Sequence, residues 1–120
     1  MSTTATHISI PREFLAALQR EASHSVASAA GGVHAIGDRD DFDSDDFEAS
    51  LGVLHKSIAC RDALLAEQDV DSELLIPVVD STLRSLDYAI DEHDRKDLDD
   101  LARLVDLTRR MTAWRDEVTV

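Results

Sequence analysis

Cysteine occurs once, lysine twice, and the aromatic residues are three phenylalanines, one tyrosine and one tryptophan. A lone Cys60 excludes an internal disulfide and a cysteine-built metal framework, and it fits a reducing compartment. No apolar run approaches the roughly 18 to 20 residues that span a bilayer, and "MSTTATHIS" has neither a basic n-region nor an apolar h-region. The expectation is a cytoplasmic chain without membrane contact. Glycine is scarce as well, and Gly31 and Gly32 follow a helical stripe with no strand before them, which excludes a phosphate-cradling loop. With so few aromatics, the core is expected to be largely Leu, Val, Ile and Ala.

What is abundant is acid. Twenty-five Asp and Glu against twelve Lys and Arg give a net charge of -13. Such a field repels nucleic acid and anionic lipid and attracts basic proteins or cations, although an acidic surface can also serve solubility alone. The carboxylates concentrate in "GDRDDFDSDDFE", residues 37 to 48, and again between residues 87 and 100.

The apolar periodicity is helical throughout. Residues 1 to 8 carry none and read as a mobile tail, leaving 9 to 120 as one domain. Helix 1 is expected over about 9–30, with Pro11 in its first turn and Gly31 or Gly32 as a left-handed stop. Helix 2 spans about 43–68. Asp43 is its N-cap, Phe42 and Phe47 have staple spacing, and Asp45 and Asp46 lie where the helix dipole favours anions. Its main stripe is Phe47, Leu51, Leu54, Ile58 and Leu65, with a weaker row of Val53, Cys60 and Leu64 on another side. Helix 3, about 71–93, repeats the cap and staple at Asp71 and contains Pro77, which predicts a kink or a start one turn later. Helix 4, about 94–118, is expected to follow a turn at His93 with Asp94 as cap, although "DEHDRKD" contains no Gly or Pro and one continuous helix is the alternative. Acid-before-base pairs Asp80–Arg84, Asp99–Arg103 and Asp106–Arg110 add roughly 0.2 to 0.5 kcal/mol each. Together these elements predict an all-α, antiparallel four-helix bundle with a long acidic loop between helices 1 and 2.

Catalytic and metal chemistry find little support in the residue pattern. A calcium loop started at Asp38 has Phe42 and Ala49 where ligands are needed, and one started at Asp41 has Asp46 at the glycine position and Gly52 at the last ligand. Among the five histidines only His24 has a Glu three residues earlier, Glu21, and both are expected to face solvent, so a carboxylate-bridged bundle site has one half of its ligands. Cys60 has Arg61 beside it, but His55 at i,i+5 points elsewhere. No polar cluster on a core face is apparent that would orient a small molecule. The expectation is therefore no enzyme, no metal and no cofactor.

Residues 6 to 22, "THISIPREFLAALQREA", resemble the opening of a ribbon-helix-helix DNA-binding protein, with Ile8 and Ile10 alternating before a proline and an amphipathic helix. The resemblance implies a base-reading strand. This strand has no Lys or Arg to read base edges, and the charge of the chain opposes phosphate contact.

The expected function is a small non-enzymatic module, of adaptor, chaperone, antitoxin or immunity type, that binds a basic protein surface. Its partner-binding residues are Asp38, Asp40, Asp41, Asp43, Asp45, Asp46 and Glu48, together with Tyr88, Asp91, Glu92 and Asp94 at the second acid cluster. Two alternatives follow from the same residues. A self-associating helical protein would form a homodimer through Met111, Trp114 and Val118, and a nucleic-acid mimic would block a DNA-binding protein with one end of the molecule.

Overall fold

Four helices carry the chain: α1 (Arg12–Gly37), α2 (Ser44–Leu65), α3 (Ser72–Asp91) and α4 (Leu98–Val118). Two short strands, β1 (His7–Ile8) and β2 (Val70–Asp71), pair antiparallel. The computed structural model describes residues 7–38, 41, 43–93 and 97–119. The all-α four-helix reading of the periodicity is thus correct, and several boundaries differ for physical reasons.

Pro11 stands at the N-cap of α1, just outside the first turn, with its carbonyl accepting from the Phe14 backbone N–H at 3.0 Å. The helix does not stop at Gly31 and Gly32. It runs on to Gly37, and no described glycine has a positive φ. A helical glycine costs only about 1 kcal/mol relative to alanine. Here the stripe continues past the pair through half-buried Val33 and Ile36, and the Phe47 ring of α2 lies against Gly37. The expected long acidic loop is therefore shorter, since α1 ends at Gly37 and α2 begins at Ser44.

Asp43 caps α2 as the sequence predicts, its carboxylate accepting from the Asp45 N–H at 2.9 Å. Phe42, the other half of the proposed staple, lies outside the described residues. At its far end α2 stops at Leu65, and Glu67 takes a left-handed φ of 56°. The Gln68 N–H then reaches the Ala63 carbonyl and the Glu67 N–H reaches Leu64, a Schellman closure in a position that favours glycine. Glu67→Gly is expected to raise stability by about 1 kcal/mol despite losing an exposed contact to Arg12. A urea titration with a lower midpoint than the parent would contradict this.

The segment expected as a tail is partly structural. Ile8, on β1, is 5% exposed and sits in the core with Val70 of β2, its cross-strand partner. Asp71 then caps α3, accepting from the Glu73 N–H. α3 begins at Ser72 and runs through Pro77, so there is no delayed start. α3 and α4 are separate helices. The cap of α4 is Asp97, accepting from the Asp100 N–H at 3.0 Å, three residues later than the expected Asp94, which lies outside the described residues.

The helices form two antiparallel hairpins. Arg12 meets Glu67 near the open end of the first, and Gly37 meets Phe47 at its closed end. In the second, Asp80 meets Arg115 and His93 meets Asp100. The buried residues lie toward one end of each helix: Phe14, Leu18 and Ala22 of α1, Cys60 and Leu64 of α2, Leu75, Val78 and Val79 of α3, Met111 and Trp114 of α4. The hairpin tips consequently stand away from the shared core. A radius of gyration of 16.7 Å agrees with this, against about 13.6 Å for a compact chain of such length.

Two expectations fail because periodicity does not say how far along a helix its neighbours reach. The weaker row of α2 supplies its core residues, Cys60 and Leu64, whereas Leu51, Leu54 and Ile58 are half-buried and Leu65 is exposed. Met111 and Trp114, expected to form a dimer face with Val118, are instead interior. Met111 is fully buried, Trp114 packs its ring 5.2 Å from Phe14, and Val118 packs against the core, so this row is not free for a second copy.

Polar contacts act within and between the hairpins. Gln19 of α1 donates to the Leu64 carbonyl of α2 at 2.9 Å inside the first hairpin, and Arg110 of α4 bridges Asp106 on its own helix to Glu13 on α1, joining the two hairpins. Asp80 makes its close pair across to Arg115, and the expected i,i+4 partner Arg84 adds a weaker favourable charge interaction. The Arg115 hydrogen bonds hold the Asp80 carboxyl below its ordinary pKa. The stability this supplies is therefore present above the usual carboxylate range and is lost as pH falls through the lowered folded value. Asp80→Asn is expected to cost about 1 kcal/mol at neutral pH, since the pair is a third exposed. The difference from the parent should vanish in strong acid, and a constant difference down to pH ~2 would contradict it.

Candidate partner-binding surface

The turn between α1 and α2 places the first acid cluster on the tip of a hairpin. Asp38, Asp41, Asp43, Asp45, Asp46 and Glu48 are all exposed there, and Asp40 lies outside the described residues. Local chemistry explains three of them. Asp43 is the cap, and Asp45 and Asp46 occupy the first turn of α2, facing the positive end of its dipole. Asp38 lies 3.1 Å from the His34 imidazole, one turn earlier. Among the described residues, Asp41, Asp43, Asp45, Asp46 and Glu48 have no cationic partner within ion-pair distance.

The second cluster lies at the tip of the other hairpin. Asp91 and Glu92 are exposed at the end of α3, and Tyr88 one turn before is 68% exposed, as its place off the helix 3 stripe predicts. Asp94 lies outside the described residues. Asp97 and Asp100 are engaged in structure: Asp97 caps α4, and Asp100 accepts from His93 Nε2 at 2.9 Å. The acids of the first tip are thus the less committed set.

Glu21 departs from its expected solvent position. Half-buried on α1, it accepts from the Ser81 hydroxyl at 2.7 Å and the Ser85 hydroxyl at 3.1 Å, tying α1 to α3. No local pattern announces this, because the three residues meet only after the hairpins dock. His24 and His55 are exposed. Cys60 is 1% exposed, and burial pushes its thiol up to about 11, so it is protonated and shielded at neutral pH. Among the described residues no group of three His, Cys, Asp or Glu is placed to hold a metal ion, and no helix is long and apolar enough to cross a membrane.

No protein-family model, curated protein or solved structure matches the chain.

Proposed function

We propose that this chain is a non-enzymatic binding module, acting in the cytoplasm, that engages a basic protein surface through the acidic tip of its first hairpin. What supports it is the set of exposed carboxylates at the α1–α2 turn that no described cation neutralises, carried on a tip that stands away from the core. Carboxylates presented this way raise the local concentration of cationic surfaces and speed their encounter, without any demand on the fold. Tyr88 supplies a second, aromatic contact point on the other tip, next to Asp91 and Glu92. The Cys60 thiol, protonated and enclosed, offers no nucleophile to set against this reading.

The test is recovery of the tagged protein from its own host with washes at low and high salt, and mass spectrometry of what stays bound. A basic protein held at low salt and released at high salt supports the reading, because exposed charge contacts are screened beyond a Debye length of about 3 Å at about 1 M. Recovery of only the protein itself in both washes would transfer the weight to self-association and leave the acidity as a solubility coat.

A further inference from the structure

We propose that the cleft enclosed by α1, α2 and α3 is a binding site for a small organic anion with an apolar body. The cleft measures about 660 Å³, within the range of small-molecule sites. It lies where α3 packs on the first hairpin, and it is independent of the acidic tip.

Its apolar surface is unusually open. Val53 of α2 lines the cleft yet is 58% exposed, and Leu74 and Pro77 of α3 line it too, above a floor that includes buried Cys60 and Val78. An uncovered valine in a cleft that Leu74 and Pro77 also line gives an alkyl or aryl group a surface to leave water on.

The polar groups of the cleft decide the charge of the ligand. Lys56 from α2 and Arg84 from α3 both line it; Lys56 has no carboxylate within ion-pair distance among the described residues, and Arg84 has only the longer-range field of Asp80, which is itself hydrogen-bonded to Arg115. His24 and the hydroxyls of Ser25 and Ser28 add donors from α1. On the acid side there are two lining carboxylates. Glu21 already accepts from the Ser81 and Ser85 hydroxyls. Glu73 stands in the first turn of α3, where the positive end of the helix dipole offsets its charge. The unspent capacity of the cleft is therefore cationic and donor-rich, and a carboxylate or sulfonate joined to an apolar group complements it. These polar groups gather at the rim of a surface cleft where three helices converge, a place that a search for polar residues on core faces does not cover.

The probe is octanoate, titrated into the 15N-labelled full chain, with octylammonium, whose apolar tail is one methylene longer, as a control of opposite charge. Octanoate is expected to shift the amides of residues 24–29, 53–60 and 74–85 saturably, and octylammonium to bind roughly tenfold more weakly or not at all. Lys56→Glu combined with Arg84→Glu, both surface changes, should weaken octanoate by roughly tenfold while leaving the helical circular dichroism intact. Equal binding of the two probes would overturn the anion assignment and leave a merely apolar cleft. Shifts absent at millimolar octanoate, or scattered outside these segments, would overturn the site itself. The octanoate and octylammonium pair decides the matter even if the double variant fails to fold.

Discussion

Trp114→Ala is expected to lower the unfolding free energy by about 3 to 5 kcal/mol, among the largest effects of single truncations in this chain. The indole is 9% exposed and packs tilted against Phe14, so removal leaves a cavity between α1 and α4 where the two hairpins share their core. Only thirteen described residues fall in the buried class, which gives each a large share of the total. For a domain whose whole stability is of order 5 to 15 kcal/mol, this change approaches unfolding. Urea denaturation followed by far-ultraviolet circular dichroism measures it, since the variant has lost the only tryptophan. Tyr88→Ala, at a side chain 68% exposed, should by contrast stay within about 0.5 kcal/mol of the parent. If Trp114→Ala were equally mild and instead broke a dimer apart, the tryptophan would belong to an intermolecular face and its position in the core would be wrong.

The second large effect lies in a segment that carries no helical periodicity. Ile8→Ala is expected to cost about 2 to 3 kcal/mol, because Ile8 is 5% exposed, packed in the core and paired with Val70 across the β1–β2 ladder. A true tail residue would show no change at all. The measurement is the same denaturation curve, with the slope compared between variants. An unchanged slope assigns the loss to the native core and not to a more open native state. Cost and location together distinguish a strand that closes the core from a peptide that merely precedes it.

These two residues also show where sequence reasoning succeeds and where it stops. Features set by neighbours a few positions apart were legible: the four amphipathic stretches, the Asp43 and Asp71 caps, and the acids in the first turn of α2. The end of α1 was misplaced because two glycines look like a stop when the local cost is weighed alone. The helix continues because Val33 and Ile36 extend the stripe beyond them. Which row of α2 enters the core was also invisible. Val53, earlier in that row, lines an open cleft and stays exposed, whereas Cys60 and Leu64 are enclosed in the core that also holds residues of α1, α3, α4 and both strands.

Contacts between distant residues were illegible altogether. Asp80 has a local partner in Arg84, which acts on it only at longer range, and its hydrogen bonds go to Arg115. Glu21 had a surface position by its angle and took two serines from α3. The cleft follows from the same docking, since its lining comes from three helices none of which shows a polar cluster alone. The acidic tip lies between these cases. Its composition was plain from the start, whereas its compression into a hairpin turn required the true end of α1.

The central claim is that the α1–α2 tip, and not the charge of the chain in general, recruits a basic partner. Its most direct test is a paired recovery from the host with the parent chain and with a variant carrying Asp41→Asn, Asp46→Asn and Glu48→Gln, changes at exposed residues that no described cation neutralises. A basic protein retained by the parent at low salt, released at high salt and missing from the variant is the predicted result. Equal retention of that protein by both baits, or no basic protein on either, would contradict the claim.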